Sequence, residues 1–140
     1  VSVTIGEARD EIEQMFATAW GGATQLVFDD TTAQPDRGND AHGNPNEFAR
    51  VTIKHNGGGA DGVSNKSFLY HGVVIIQIFT AYGMGQTRSD ALLLLAMKAF
   101  RGKKTPGGIW FRSVAPHEMG HDGSYFQVNV TATFEYNDRD

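Results

Sequence analysis

Residues 117–121 read His117-Glu118-Met119-Gly120-His121, the H-E-x-x-H pattern. Two imidazoles one helical turn apart can share a zinc ion, and the intervening glutamate can take a proton from metal-bound water. That chemistry needs a helix, because only helical i, i+4 spacing brings both rings to one ion. The neighbourhood opposes a helix: Pro116 precedes the pattern, Gly120 lies inside it and Asp122-Gly123 follows at once. On an extended chain the two histidines would stand roughly 13 Å apart at ~3.3 Å per residue, too far for one tetrahedral zinc. The longer form of the pattern wants Gly in its eighth position and His in its eleventh, where Ser124 and Gln127 stand. The expected structure is a polar hairpin turn carrying two histidines. No catalytic or metal-binding residue is assigned to it.

Other residues with chemical potential read the same way. The glycines of 57–62 lack the Gly-Lys-Ser/Thr ending of a phosphate loop, and no helix follows them. Gly83-Met84-Gly85 precedes a helix, where main-chain N–H groups could meet an anion, but a strand-to-helix turn explains it. Asp29, Asp30 and Asp36 do not have the spacing of a calcium loop. His42, His55 and His71 have no sequence partner that makes a metal site, and His55 ends an apolar strand face. Lys98, Arg101, Lys103 and Lys104 suit the C-terminal end of a helix dipole.

The elements that position these residues follow from periodicity. Thr4-Ile5-Gly6-Glu7 has the form of a capping box. Ile5, Ala8, Ile12, Met15, Phe16, Ala19 and Trp20 then recur at helical spacing, and Gly21-Gly22 ends the element, giving a helix over 5–20. Residues 26–28 read as a short strand and 29–47 as a loop, long for a compact domain. Residues 48–55 alternate as a half-buried strand. Residues 56–67 read as a flexible hairpin tip. Residues 68–80 form a long strand, apolar on both faces at Val73-Val74-Ile75-Ile76 and therefore central. Thr87-Arg88-Ser89-Asp90 opens a second helix with a capping pattern, and Gly102 closes it. Residues 109–115 and 125–136 are strands, the latter alternating cleanly between apolar and polar. The order α-β-ββ-α-ββ predicts a single α+β domain over 1–140. It is a mainly antiparallel sheet with two amphipathic helices on one face. Phe126, Val128, Val130 and Phe134 should pack against Ile12, Phe16, Leu92 and Leu95.

The 140 residues include 17 glycines, no cysteine and a formal net charge of −4. Disulfides, thiolate catalysis and cysteine-ligated zinc are excluded. A pI near 5.7 is far from that of a dedicated nucleic-acid binder, usually above ~9. No apolar run approaches the ~20 residues of a membrane span, and Val1-Ser2-Val3-Thr4 lacks the basic start of a signal peptide.

A set of short segments is familiar as a group. Val51-Thr52-Ile53-Lys54-His55 precedes the glycines. Gly72-Val73-Val74-Ile75-Ile76-Gln77-Ile78-Phe79-Thr80 and Gly83-Met84-Gly85 follow. After the second helix come Gly108-Ile109-Trp110-Phe111-Arg112, Gly120-His121-Asp122-Gly123 and Tyr125-Phe126-Gln127-Val128-Asn129-Val130. From about Ile5 to Tyr136 the chain resembles the tail terminator-like family of tailed bacteriophages and prophages. The resemblance implies a ring, typically a hexamer, on the head-proximal end of the tail tube, located in the virion and in the host cytoplasm during assembly. Its partners would be the tail tube protein and a head–tail connector or neck protein. DNA would pass through the channel without sequence-specific binding. No catalysis, cofactor or membrane is implied. A neck or other tail-completion protein is the near alternative. A minimal zinc hydrolase using His117, Glu118 and His121, or a generic binding module using the glycine loop, are the distant ones. Candidate assembly contacts are Asn56, Gly57, Gly58, Gly59, Asp61 and Lys66, on the expectation that a mobile tip orders against a neighbour.

Overall fold

The computed structural model describes residues 3–29, 31–60, 67–83 and 85–139. Its elements run α1 (Ile5–Trp20), β1 (Gln25–Phe28), β2 (Phe48–Ala60), β3 (Ser67–Ala81), α2 (Thr87–Phe100), β4 (Trp110–Asp122) and β5 (Tyr125–Arg139). The capping box forms as the sequence predicts: Glu7 N donates to Thr4 Oγ1 at 3.2 Å, and Thr4 N donates to Glu7 Oε1 at 3.0 Å. These bonds satisfy two of the N–H groups that a helix start leaves without partners. Gly21 then takes the left-handed conformation, φ 61°, that stops the helix. The start of α2 differs from expectation. Gln86 occupies the cap position and makes no side-chain capping bond. Thr87 already lies inside the helix, and Ser89 Oγ donates to Gln86 O at 3.1 Å.

The five strands form one sheet in the order β1-β2-β3-β5-β4. β3 is central, flanked by β2 and β5 in antiparallel register. β1 runs parallel to β2. A parallel neighbour cannot be reached by a tight hairpin, so the long 29–47 segment is a crossover.

Both helices lie on one sheet face. Ile12, Phe16, Trp20, Leu92, Ala96 and Phe100 share a buried cluster with Val51, Val74, Ile76, Ile78, Val128, Val130 and Phe134. Phe16 and Phe100 stack with ring centres 5.4 Å apart, and Phe100 meets Phe111 at 4.9 Å. Leu95 and Phe126, expected in this core, are only partly buried at its margin.

Candidate assembly surface

β1 pairs with β2 only as far as Val51. β4 pairs with β5 only as far as Glu135, opposite Trp110. Past those points three strands continue alone, Ala60 opposite Phe68 and Phe68 opposite Asp138. They form a three-stranded arm.

The glycines of this arm correct the sequence reading. Residues 56–59 are not a flexible tip but strand, paired Gly57 to His71, Gly58 to Tyr70 and Gly59 to Leu69. The physical reason is close approach. A Cβ on Gly57 would stand 2.5 Å from His71 Cε1, and one on Gly58 2.6 Å from Tyr70 Cδ1. The rings of β3 lie across β2 where it has no side chains, and they supply the packing that glycine lacks. Asn56 Oδ1 lies 2.9 Å from His71 Nδ1, at a register shift between His55 and Gly57. Asp61 and Lys66 lie outside the described residues. Sequence reasoning weighed glycine as freedom. The available signal was a pair of rings, Tyr70-His71, at the mirror position across the hairpin.

The helix-side face of the arm begins in an aromatic cluster. Tyr136 stacks on Tyr70 at 5.7 Å and on Phe134 at 6.2 Å. His55 Nε2 lies 2.6 Å from Tyr136 Oη, while His55 Nδ1 is shut from water without a hydrogen-bond partner. Burial, and then the nearby Arg9 guanidinium, push the His55 pKa below its ordinary value. Arg9 itself donates to Ile53 O at 2.7 Å. Farther out, Phe68 is exposed.

At the base of the arm, on the edge formed by β4, Trp110 is 37% exposed. The Arg112 guanidinium stands over its ring at 4.7 Å and pairs with Glu135. Exposed Trp and Arg are the residue types that most often anchor interfaces. Sequence reasoning named them only within the Gly108–Arg112 segment of the family resemblance and not as contact residues.

The H-E-x-x-H segment lies in β4, as a strand rather than the expected turn. The turn itself comes later, at Gly123, φ 60°. A bulge between Glu118 and Gly120 shifts the register, with Gly120 at φ 90°. The two histidines are engaged separately: His117 Nε2 lies 3.0 Å from Thr131 Oγ1, and the His121 ring stacks on Tyr82 at 4.1 Å. Among the described residues, no group of three or more His, Asp or Glu stands close enough to hold a metal ion.

The crossover is tied at the opposite end of the sheet. Gln25 Nε2 donates to Asp36 O at 2.8 Å, and Asp36 N donates back to Gln25 Oε1 at 2.8 Å. Asp40 Oδ1 accepts from His42 N and Asn44 N, with the N–H of Asn44 and then of His42 holding its carboxyl below the usual range. Arg88 on α2 binds Glu47 and donates to Ala23 O. Between this crossover and α2 lies an open cleft of about 850 Å³, lined by Asp36, Asp40, Glu47, Thr80 and Arg88 among others.

No family model matches this chain, and no curated protein matches its sequence. A solved structure with 13% sequence identity superposes with a TM-score of 0.68 over 96% of this chain and 96% of its own. At that identity the likeness is one of fold.

Proposed function

We propose that the chain is a structural virion protein of the tail terminator kind, forming a ring, in the first instance a hexamer, at the head-proximal end of a tail tube. There it stops tube growth and offers a docking surface to the head or neck. The observation that carries this reading is the arm: β2, β3 and β5 continue past the ends of β1 and β4, with rings of β3 packed over the glycines of β2. A monomer gains nothing from displaying such strand edges, and natural proteins usually blunt or cover them. The family resemblance of the segments within the sheet supports the same reading. The net charge of −4 suits a channel that DNA traverses without adhering.

The test has two parts. Native mass spectrometry of the purified chain, with and without tube protein, should show a closed ring. A phage lacking the gene should make overlong or headless tails, restored by the wild-type chain. A monomer under both conditions, with normal tails in the knockout, would overturn the proposal. Normal tails that fail only to join heads would move the assignment to a neck protein.

A further inference from the structure

We infer that copies of this chain join face to face, the outer surface of the helix layer in one copy lying on the open face of the sheet in the next. The inference rests on the ring reading above and names the contact that closes it.

The first observation is α2 itself. Residues 91–97 are an unbroken apolar run that includes Leu92–Leu95, so this stretch of the helix is apolar all round. Such a helix is normally buried on every side. In the single chain only one side is: Leu92 and Ala96 lie in the core, while Leu94 is 46% exposed and Leu95 is partly buried. Beside Leu95, between the two helices, runs an open groove of about 620 Å³, lined by Met15, Ala19, Leu95, Lys98 and Pro106 among others. One exposed leucine needs no explanation, but a helix apolar all round beside an apolar groove does.

The second observation is the face of the sheet turned away from the helices, which no helix covers among the described residues. β3 places Val73 and Ile75 there, half-buried. Val73 lies between Lys54 and Thr133, and Ile75 between Thr52 and Thr131. A strand apolar on both faces is the pattern of one covered on both. The crossover covers one end of this face, where Arg37 stands over the Phe48 ring at 5.0 Å and Tyr125 Oη donates to Asn46 O at 3.1 Å. Val73 and Ile75 lie beyond it. Helices on both faces of a sheet are a stable layer architecture, and the helix layer of a second copy supplies the missing layer. A contact between two different patches repeats from copy to copy and closes when the rotation allows.

Charge fixes the orientation. α1 runs beside β2, where Arg9 donates to Ile53 O, and α2 lies over β3, β5 and β4. The helices are antiparallel: Arg88 donates to Ala23 O at one end, and Gly107 N donates to Glu11 Oε1 at the other. A next copy stacked the same way up brings its α1 over β2 and its α2 over β3 and β5. Exposed Asp10 then comes over exposed Lys54, and neither has an ion pair among the described residues. Leu94 comes over Val73 and Ile75, and Lys98 over the side of Glu135. Turned end for end, the same copy would bring Lys98 toward Arg50. Complementary charge thus selects the same-way stack that a head-to-tail ring requires.

The chain has no cysteine, so engineered thiols report without interference. Leu94 and Thr133 are both exposed, on opposite sides of the sheet, so no link between them closes within one copy. The double variant Leu94→Cys/Thr133→Cys, treated with a short bismaleimide, should give a ladder on a denaturing gel that ends at the ring number. Neither single variant should cross-link. Leu94→Asp should keep the circular dichroism and melting curve of the wild type and lose the ring mass. Dimers from Leu94→Cys alone would show helix-on-helix pairing and overturn the inference. So would a folded Leu94→Asp that still forms the ring, or absence of a ladder in a sample whose native mass shows a closed ring. Both of those results would leave the ring reading intact. A wild-type chain that stays monomeric with tube protein present sinks both.

Discussion

The hydroxyl of Tyr136, near the end of the last strand, lies 2.6 Å from Nε2 of His55 on β2, two strands away across the sheet. The contact spans β3 and ties the base of the arm to its far side. Tyr136 is 1% exposed, and the other ring nitrogen of His55 already lacks a partner. Tyr136→Phe would leave both nitrogens of His55 without this bond. A loss of about 1–3 kcal/mol is expected for stranding a buried polar group. Urea denaturation measures it, and an unchanged midpoint would show the contact to be dispensable.

The same histidine sets a pH dependence. Its folded-state pKa lies below the ordinary 6.5, chiefly through burial and then through Arg9. The unfolded chain therefore binds the proton more readily. Stability is fully present above the unfolded value and is lost as pH falls through the folded one. The melting temperature should drop between about pH 7.5 and pH 5.5, a range centred on the ordinary histidine value, and drop less in His55→Gln. Parallel curves for the two proteins would remove His55 as the cause.

Three glycines rank by what a methyl group would meet. At Gly72 a Cβ would stand 2.2 Å from Lys54 O and 2.6 Å from Phe134 Cζ, whereas at Gly57 and Gly58 the nearest atoms belong to the rings of His71 and Tyr70. The exposed His71 ring can swing aside and the half-buried Tyr70 ring can shift, but a paired main chain cannot. Gly72→Ala should cost several kcal/mol, and Gly57→Ala and Gly58→Ala about 1–3 kcal/mol. Thermal melts of the three variants check the order. Equal effects would mean that the arm is looser than its packing implies.

Val130 is fully buried beneath the helices and opposite Ile76. Val130→Asp places an unpaired charge there and should prevent folding. The neighbouring Thr131→Asp, on the other face of the strand, should leave a folded protein. Cooperative melting of Val130→Asp would show the faces of β5 to be reversed.

His117 and His121 are exposed and hold a threonine and a tyrosine ring respectively. The pair His117→Ala/His121→Ala should change stability by no more than about 1 kcal/mol, as for most surface sites. Zinc at molar equivalence in the purified wild-type protein would contradict the separate roles given to them here.

Where local chemistry decides the structure, the residues were readable in advance. Thr4 and Glu7 close a capping box within three positions of each other, and Phe126 to Tyr136 declare their faces by simple alternation. The α+β class follows from such elements. The arm was hidden because its order comes from across the hairpin: Gly57 and Gly58 look unrestrained until His71 and Tyr70 are laid over them. Gln25 to Phe28 gave no hint of running parallel to β2, since that depends on where the crossover returns. His117 to His121 resisted a helix as expected, yet reading them as a turn missed the bulge at Gly120, which lets β4 continue to Asp122. For the assembly surface, the glycines were noticed for mobility and prove to be paired strand, while Trp110 and Arg112 were named within a family segment and not as contacts.

The seam between β3 and β5 divides the chain in a way that bears on how it is made. β2 with β3, and β4 with β5, are hairpins of neighbouring sequence. Within the sheet the two halves meet where Ser67–Ala81 zips along Tyr125–Arg139, 15 residues against 15, with α2 and β4 threaded between them in sequence. During synthesis the first half emerges with its central strand bare along one whole side. The partner for that strand leaves the ribosome only after α2 and β4. Contacts so distant along the chain form slowly, and an uncovered strand is an invitation to aggregate in the interval. The strand Tyr125–Arg139 thus decides whether the segments made before it become a subunit or a deposit.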